Sequence, residues 1–164
     1  MQQRDLDYVI EAHRDRSVKP SKAFRKWDGK TSYHIHPIWC ATMITTETSL
    51  PEEIREDGVQ VLLYHDVLED THRNLPDWLS YRVKTLIGEM TFQGGSSQEM
   101  QEIWEKSPEV RLYKLYDKVS NLLDNSWMNY EKRRTYSDYT KRLCQDVEQN
   151  YGELNITKIA RGVV

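Results

Sequence analysis

Cysteine is nearly absent from this sequence: Cys40 and Cys144 stand far apart and form no CxxC pair. That excludes a zinc knuckle and a disulfide framework. Glycine and proline are scarce too, at seven and five residues, and apart from Gly94-Gly95 they fall singly. Linkers, internal repeats and low-complexity tracts are thereby excluded. No apolar run approaches the roughly 20 residues that span a bilayer. The opening MQQRDLDYVIEAHRDR is charged throughout, so the expectation is a soluble, cytoplasmic protein without a membrane partner. Charge of one sign is missing as well, since 23 basic and 26 acidic residues leave a net −3. A polybasic nucleic-acid tail is excluded. Only two Phe stand against five Trp and ten Tyr, a balance that suits half-buried walls where a ring packs and its polar tip finds a partner.

What is present is a chain of 164 residues, 38% hydrophobic and 30% charged, the size of one domain with a core of its own. Period-two alternation is missing almost everywhere. Asp5 or Asp7 is a candidate cap for a first helix carrying Leu6, Val9, Ile10 and Ala12. Arg25 to Tyr33, centred on Asp28-Gly29, reads as a loop. His36-Pro37 places proline in the first turn of a helix running through Trp39, Met43 and Ile44. Ser49-Leu50-Pro51-Glu52-Glu53 predicts a start with Ser49 as cap, and the helix then carries Val59, Leu62, Leu63, Val67 and on towards Thr71. Pro76 reopens a helix through Leu79, Val83 and Leu86. Gly94-Gly95-Ser96-Ser97 breaks the chain before a short helix over 98–106. Pro108 starts a helix with Leu112, Leu115, Val119 and Leu122 at helical intervals, and 130–149 is a long polar helix. The fold class expected is all-α, a single domain over 1–164.

Chemistry concentrates in Tyr64-His65-Asp66-Val67-Leu68-Glu69-Asp70-Thr71. On a continuous helix, positions 65, 66, 69 and 70 span about 140° of arc. Three carboxylates and an imidazole on one face repel one another unless a cation sits among them. The bland alternative is a solvated acidic face beside a core histidine. The flanking apolar run pulls this helix into the core, where an unpaired acidic face is expensive, and a metal is favoured. Further ligands must come from elsewhere. His34 and His36 point apart whether the segment is extended or helical, so only one should ligate, and His36 beside Pro37 is the better fixed. A second source is Lys114, Asp117, Lys118 and Asn121, which share one stripe next to the apolar stripe of Leu112, Leu115, Val119 and Leu122. An ion-pair ladder on a solvent face is the competing explanation there.

Taken jointly, His36, His65-Asp66 and Asp117 on separate helices resemble the HD-domain metal-dependent phosphohydrolase superfamily. More narrowly, Arg25-Lys26 with Gly29, Tyr33 and His36-Pro37 is similar to the "RK…G…Y..HP" box of the RelA/SpoT-type alarmone hydrolases. His65-Asp66-Val67-Leu68-Glu69-Asp70-Thr71 resembles their "HDxxEDT" box, and Lys114-Leu115-Tyr116-Asp117-Lys118 with Asn121 their "KLxDKxxN" box. The likeness runs from about Arg25 to Leu122, and the length resembles the small stand-alone hydrolases. It implies that His36, His65, Asp66 and Asp117 hold one divalent ion, Mn²⁺ first, with Fe²⁺ or Zn²⁺ as alternatives. It also implies that Glu69 and Asp70 position and deprotonate water, that Arg25 and Lys26 meet base and phosphates, and that Asn121 holds the sugar side. The reaction implied is removal of the 3′-pyrophosphate of ppGpp or pppGpp.

Residue chemistry agrees with those roles. Two imidazoles and two carboxylates make a mixed N/O donor set suited to Mn²⁺, Fe²⁺ or Zn²⁺. Residues 13–30 carry Arg14, Arg16, Lys19, Lys22, Arg25, Lys26 and Lys30 against Asp15 and Asp28, and Lys114 and Lys118 add cations beside Asp117, as a phosphorylated substrate requires. Two positions depart from the family pattern: Leu123 stands where a basic residue is common, and Phe92-Gln93-Gly94-Gly95 replaces a longer, Lys-bearing segment. Other phosphorylated substrates, such as a dNTP, NADPH or a pyrophosphorylated RNA end, therefore stay open. The stretch 130–142 interleaves tyrosines with five basic residues, either a solvated helix or a wall beside the substrate. The family's late-helix aromatic marks Tyr136 or Tyr139, and Tyr139 is taken as the substrate-side residue. A non-catalytic nucleotide- or RNA-binding module resting on the Arg25 and Arg133 patches is the alternative of another class, ranked behind because the chain is acidic. Trp27, beside Arg25-Lys26, is read as core or rim packing before base stacking.

Overall fold

Three helix starts are fixed by side chains that accept orphan backbone N–H groups. Ser80 Oγ accepts from Val83 N at 3.1 Å, Ser107 Oγ from Val110 N at 3.3 Å, and Asn129 Oδ1 from Lys132 N at 2.8 Å. Each leaves one fewer unsatisfied donor in the first turn. A computed structural model describes residues 1–14 and 22–164. Asp15, Arg16 and Lys19 of the charged run lie outside the described residues. The elements are α1 (Gln3–Arg14), α2 (Ile35–Ile44), α3 (Glu52–Tyr64), α4 (Val67–Asp70), α5 (Tyr81–Met90), α6 (Gly95–Glu102), α7 (Pro108–Leu123), α8 (Tyr130–Tyr151) and α9 (Asn155–Val163), with a 3-10 turn at Ile103–Glu105. The all-α expectation holds. Among the described residues the only β pairing is an isolated antiparallel bridge between Phe24 and Ser32, which closes the expected loop.

α7 is the axis of the molecule. It packs against α2, α3, α5, α8 and α9, and both of its stripes are buried, the leucines and the charged set of Lys114, Asp117 and Lys118 alike. The solvent-face ladder is therefore not what forms. α3 comes close to α2 and α7 at Gly58, where a Cβ would collide with Ile44 Cδ1 and Tyr113 Cε1. α9 is docked by Glu47, which accepts from Asn155 N at 2.9 Å, Ile156 N at 2.8 Å and the Tyr116 hydroxyl at 3.0 Å.

Five local readings are corrected. Asp5 and Asp7 lie inside α1 rather than capping it, and Asp5 is buried, accepting from Tyr64 Oη and Trp78 Nε1. Pro51, not Ser49, is the residue preceding α3. The helix expected to run on to Thr71 stops at Tyr64 and resumes at Val67. Its cause is local: the Leu62 carbonyl, which would accept from Asp66 N in a continuous helix, lies 2.7 Å from His65 Nδ1 instead. Pro76 does not reopen a helix; α5 waits for the better cap at Ser80. α6 begins at Gly95, three residues early, because Gln98 Oε1 accepts from Gly94 N at 2.7 Å and Gly95 takes a φ of +71°.

Candidate active site

The break between α3 and α4 turns His65 and Asp66 towards the N-terminal turn of α2 and the middle of α7. There His36 Nε2 stands 3.4 Å from Asp66 Oδ2 and 3.3 Å from Asp117 Oδ1. His65 Nε2 stands 3.3 Å from Asp66 Oδ1 and 3.8 Å from Asp117 Oδ1. The two rings lie 5.2 Å apart. Each ring is oriented from behind: His36 Nδ1 lies 2.7 Å from Ser120 Oγ, and His65 Nδ1 donates to the Leu62 carbonyl at 2.7 Å. A carbonyl only accepts, so Nδ1 of His65 carries the hydrogen and Nε2 is the atom a metal would take. Both Nε2 atoms are buried without a hydrogen-bond partner.

Those orphaned nitrogens test whether the residues fit an ion. Ligands about 2.1 Å from one centre stand roughly 3.0 to 3.4 Å apart in octahedral or tetrahedral arrangements. The ligand atoms of His36, His65 and Asp66 all lie within 4.8 Å of one another, and Asp117 Oδ1 is in range of both imidazoles. The donor set and its spacing fit a divalent cation. Without one, burial holds His36 neutral, lowered to about 4. At His65 burial acts the same way but is outweighed by Asp66 and Asp117, which raise it to about 9. Burial also opposes ionisation of Asp117, yet Lys118 and Lys114 outweigh it and hold the carboxyl well below the usual range. Tyr33 completes the frame, its hydroxyl donating to Asp66 Oδ2 at 2.9 Å.

Beside the cluster opens a cavity of about 340 Å³ whose walls include the acids Asp66, Glu69, Asp70 and Asp117 and the bases Arg25, Lys26 and Lys132. Phe92, Gln93, Gly95 and Ser96 form its uncharged edge. No family model matches the chain. A curated guanosine-3′,5′-bis(diphosphate) 3′-pyrophosphohydrolase from Mus musculus is 28% identical over 127 residues, 72% of this chain. The match spans 65% of that relative's length. A solved structure described as a metazoan ortholog of SpoT that hydrolyses ppGpp matches with a TM-score of 0.73, over 98% of this chain and 91% of that one, at 21% identity. The fold is of the HD type.

The HD-type fold brings His36, His65, Asp66 and Asp117 together, with Glu69 and Asp70 one turn further on the cavity wall. Glu69 Oε1 accepts from Phe92 N at 2.9 Å, and Asp70 Oδ2 from Lys22 Nζ at 2.8 Å. Burial raises Glu69 above the ordinary carboxylate range. Arg25, Lys26 and Asn121 also line the cavity. Arg25 is buried, however, and its guanidinium pairs with Asp124 Oδ2 at 2.8 Å, while Asn121 Nδ2 donates to Asp117 Oδ1 at 2.7 Å. Lys26 lies over the Trp127 ring at 4.1 Å. Two expected substrate residues sit behind the wall rather than on it: Lys114 is buried between Glu99 and Asp117, and Tyr139 is buried, whereas Tyr136 reaches the cavity. His34 and exposed Trp27 stay off the wall.

Residues without a part in the sequence argument also surround the cluster. Glu99 of α6 is buried and pairs with Lys118 Nζ at 2.9 Å and Lys114 Nζ at 3.3 Å. The signal for it was the pair of lysines on α7 beside an apolar stripe, since buried cations need a carboxylate and Asp117 alone is too few. Ser120, Asp124 and Trp127 had no signal beyond proximity to the boxes, whereas Lys132 belongs to the basic, tyrosine-bearing stretch 130–142. His13 is buried and stacks on Tyr33 at 5.2 Å.

Proposed function

We propose that this chain is a metal-dependent phosphohydrolase that removes the 3′-pyrophosphate of ppGpp or pppGpp, with 1–164 acting as one HD-type unit in the cytoplasm. The observation that carries it is the pair of buried, unpartnered imidazole Nε2 atoms facing Asp66 and Asp117 at the edge of a charged cavity. The printed activities of the mouse relative and the metazoan structural neighbour support the substrate. The proposed partner is a small nucleotide.

His36, His65, Asp66 and Asp117 would hold the ion, with Mn²⁺ as first choice and Fe²⁺ or Zn²⁺ as alternatives. When bound, a divalent cation polarises a phosphoryl oxygen and lowers the pKa of a water towards neutrality. Glu69 and Asp70 lie on the wall beside the ligands and are proposed to orient that water and take its proton. A carboxylate raised by burial, as Glu69 is, is better matched to proton transfer near neutrality than an ordinary one. Lys26 and Lys132 offer charge on the cavity wall, where Trp127 holds both ammonium groups, at 4.1 and 4.5 Å from its ring centre. Arg25, tied to Asp124, fixes the loop that carries Lys26. Asn121 is proposed for the sugar side, and Lys114 and Tyr139 support the wall from behind.

Metal content of the purified, metal-replete protein tests the site, with His65→Ala and Asp117→Ala as controls. The wild type should bind one ion per chain and both variants should lose it. Full occupancy in the variants refutes the assignment. A panel of ppGpp, pppGpp, dNTPs and NADPH with Mn²⁺ then identifies the substrate. Glu69→Ala/Asp70→Ala should keep metal and fold yet lose at least about 100-fold in kcat. Equal inactivity of wild type and double variant across the panel would point to a binding module.

A further inference from the structure

One cation on the cavity wall has no part in the scheme above. Lys22 reaches from the segment before the Arg25 loop to the acidic end of the site, where its Nζ donates to Asp70 Oδ2 at 2.8 Å. The ammonium also lies 5.2 Å from the centre of the Tyr33 ring, and the hydroxyl of that ring holds Asp66. Lys22 is thus fixed against the same frame that fixes the proposed ligands.

We propose that Lys22 is a catalytic residue whose ammonium contacts the phosphoryl group under attack, with Asp70 and Tyr33 holding it there. This rests on the phosphohydrolase reading and adds to it a specific oxygen-binding group. Asp66, Glu69, Asp70 and Asp117 all line the cavity, so an anionic substrate entering it needs cationic donors beside them. Lys118 is committed between Glu99 Oε2 at 2.9 Å and Asp117 Oδ2 at 3.1 Å, and is buried. Lys22 is placed differently. Its side chain is 31% exposed while Asp70 is 4% exposed, and Asp70 is its one hydrogen-bond partner among the described residues. An ammonium has three N–H donors, so donors remain for an anion in the cavity.

In the step proposed, the water oxygen bonds to phosphorus and the bond from phosphorus to the ribose 3′ oxygen breaks. Its electron pair goes to that oxygen, which takes a proton from solvent, and the water proton passes to the carboxylate of Glu69 or Asp70. Lys22 gives up no proton. It donates a hydrogen bond to a non-bridging oxygen, where charge builds, and a preplaced donor of this kind is worth about 10²- to 10³-fold in kcat.

The experiment compares metal-loaded wild type with Lys22→Gln and Lys22→Arg, using inorganic pyrophosphate as the probe. Lys22→Gln should retain its metal and its melting temperature within a few degrees. Inhibition by pyrophosphate should weaken at least about tenfold and kcat for ppGpp fall about 100-fold, with Lys22→Arg recovering part of both. Unchanged pyrophosphate inhibition with a lowered melting temperature would make Lys22 a structural partner of Asp70 and overturn the proposal. Should Lys22→Gln fail to fold, Lys22→Arg decides: a guanidinium shifts both constants if it touches substrate, and unchanged constants overturn the contact. If the wild type hydrolyses nothing in the panel, the phosphohydrolase reading fails separately. Calorimetric titration of pyrophosphate into both metal-loaded proteins then still judges the contact, and equal affinities reject it.

Discussion

Glu99 compensates two cations of α7 from outside the proposed ligand set. Its carboxylate is buried and shared by two buried ammonium groups. Burial alone would raise it, but Lys114 and Lys118 outweigh burial and hold it below the ordinary glutamate range. A carboxyl depressed in the folded state binds fewer protons there than when unfolded, so its stabilisation is complete above about pH 4.3 and is lost as pH falls through the lower folded value. Glu99→Gln should therefore destabilise by about 3 kcal/mol at pH 7 and flatten the acid limb of a plot of melting temperature against pH. An acid limb unchanged in Glu99→Gln would remove Glu99 from this role. The ligand-type residues were legible in sequence because imidazole and carboxylate chemistry is rare in apolar company. Glu99 was not, and Lys22 was visible only as one of a run of cations, because each sits in a polar stretch that becomes buried or cavity-facing only through contacts across the fold.

Elements were readable where a proline coincided with helical spacing at Pro108, though the same signal at Pro76 misled because α5 is capped by Ser80. They were misread where a side chain competed with the backbone, and the gap between α3 and α4 is the instructive case. A continuous helix from Glu52 to Thr71 keeps positions 65, 66, 69 and 70 on one face, which is what the sequence argument assumed. The actual break at His65-Asp66 lets the imidazole hold Leu62 O and point Nε2 at its partners. The expected residues meet, but through a local geometry that a continuous helix does not supply. Close packing gives a prediction at the same scale. Gly58 lies where α3 meets Ile44 and Tyr113, so Gly58→Ala should cost about 1–3 kcal/mol through overpacking, despite alanine's better helix propensity. A denaturant midpoint equal to or above that of the wild type would count against this contact.

At the scale of the whole molecule, α7 joins the proposed ligand Asp117 to helices from both ends of the chain. Glu47 does the corresponding work for α9. It follows α2 and accepts from the first two backbone donors of the last helix and from Tyr116 of α7. Glu47→Gln, which leaves one acceptor oxygen where there were two, should lower stability by about 2 kcal/mol, read as a shift in urea midpoint at constant slope. Deleting residues 153–164 should do more damage than the distance of α9 from the cavity suggests, because it strands a buried carboxylate. The consequence reaches into synthesis. Glu47 is satisfied in part by amides more than a hundred residues further along the chain, so the core cannot close around it until residues 155 and 156 have cleared the ribosome.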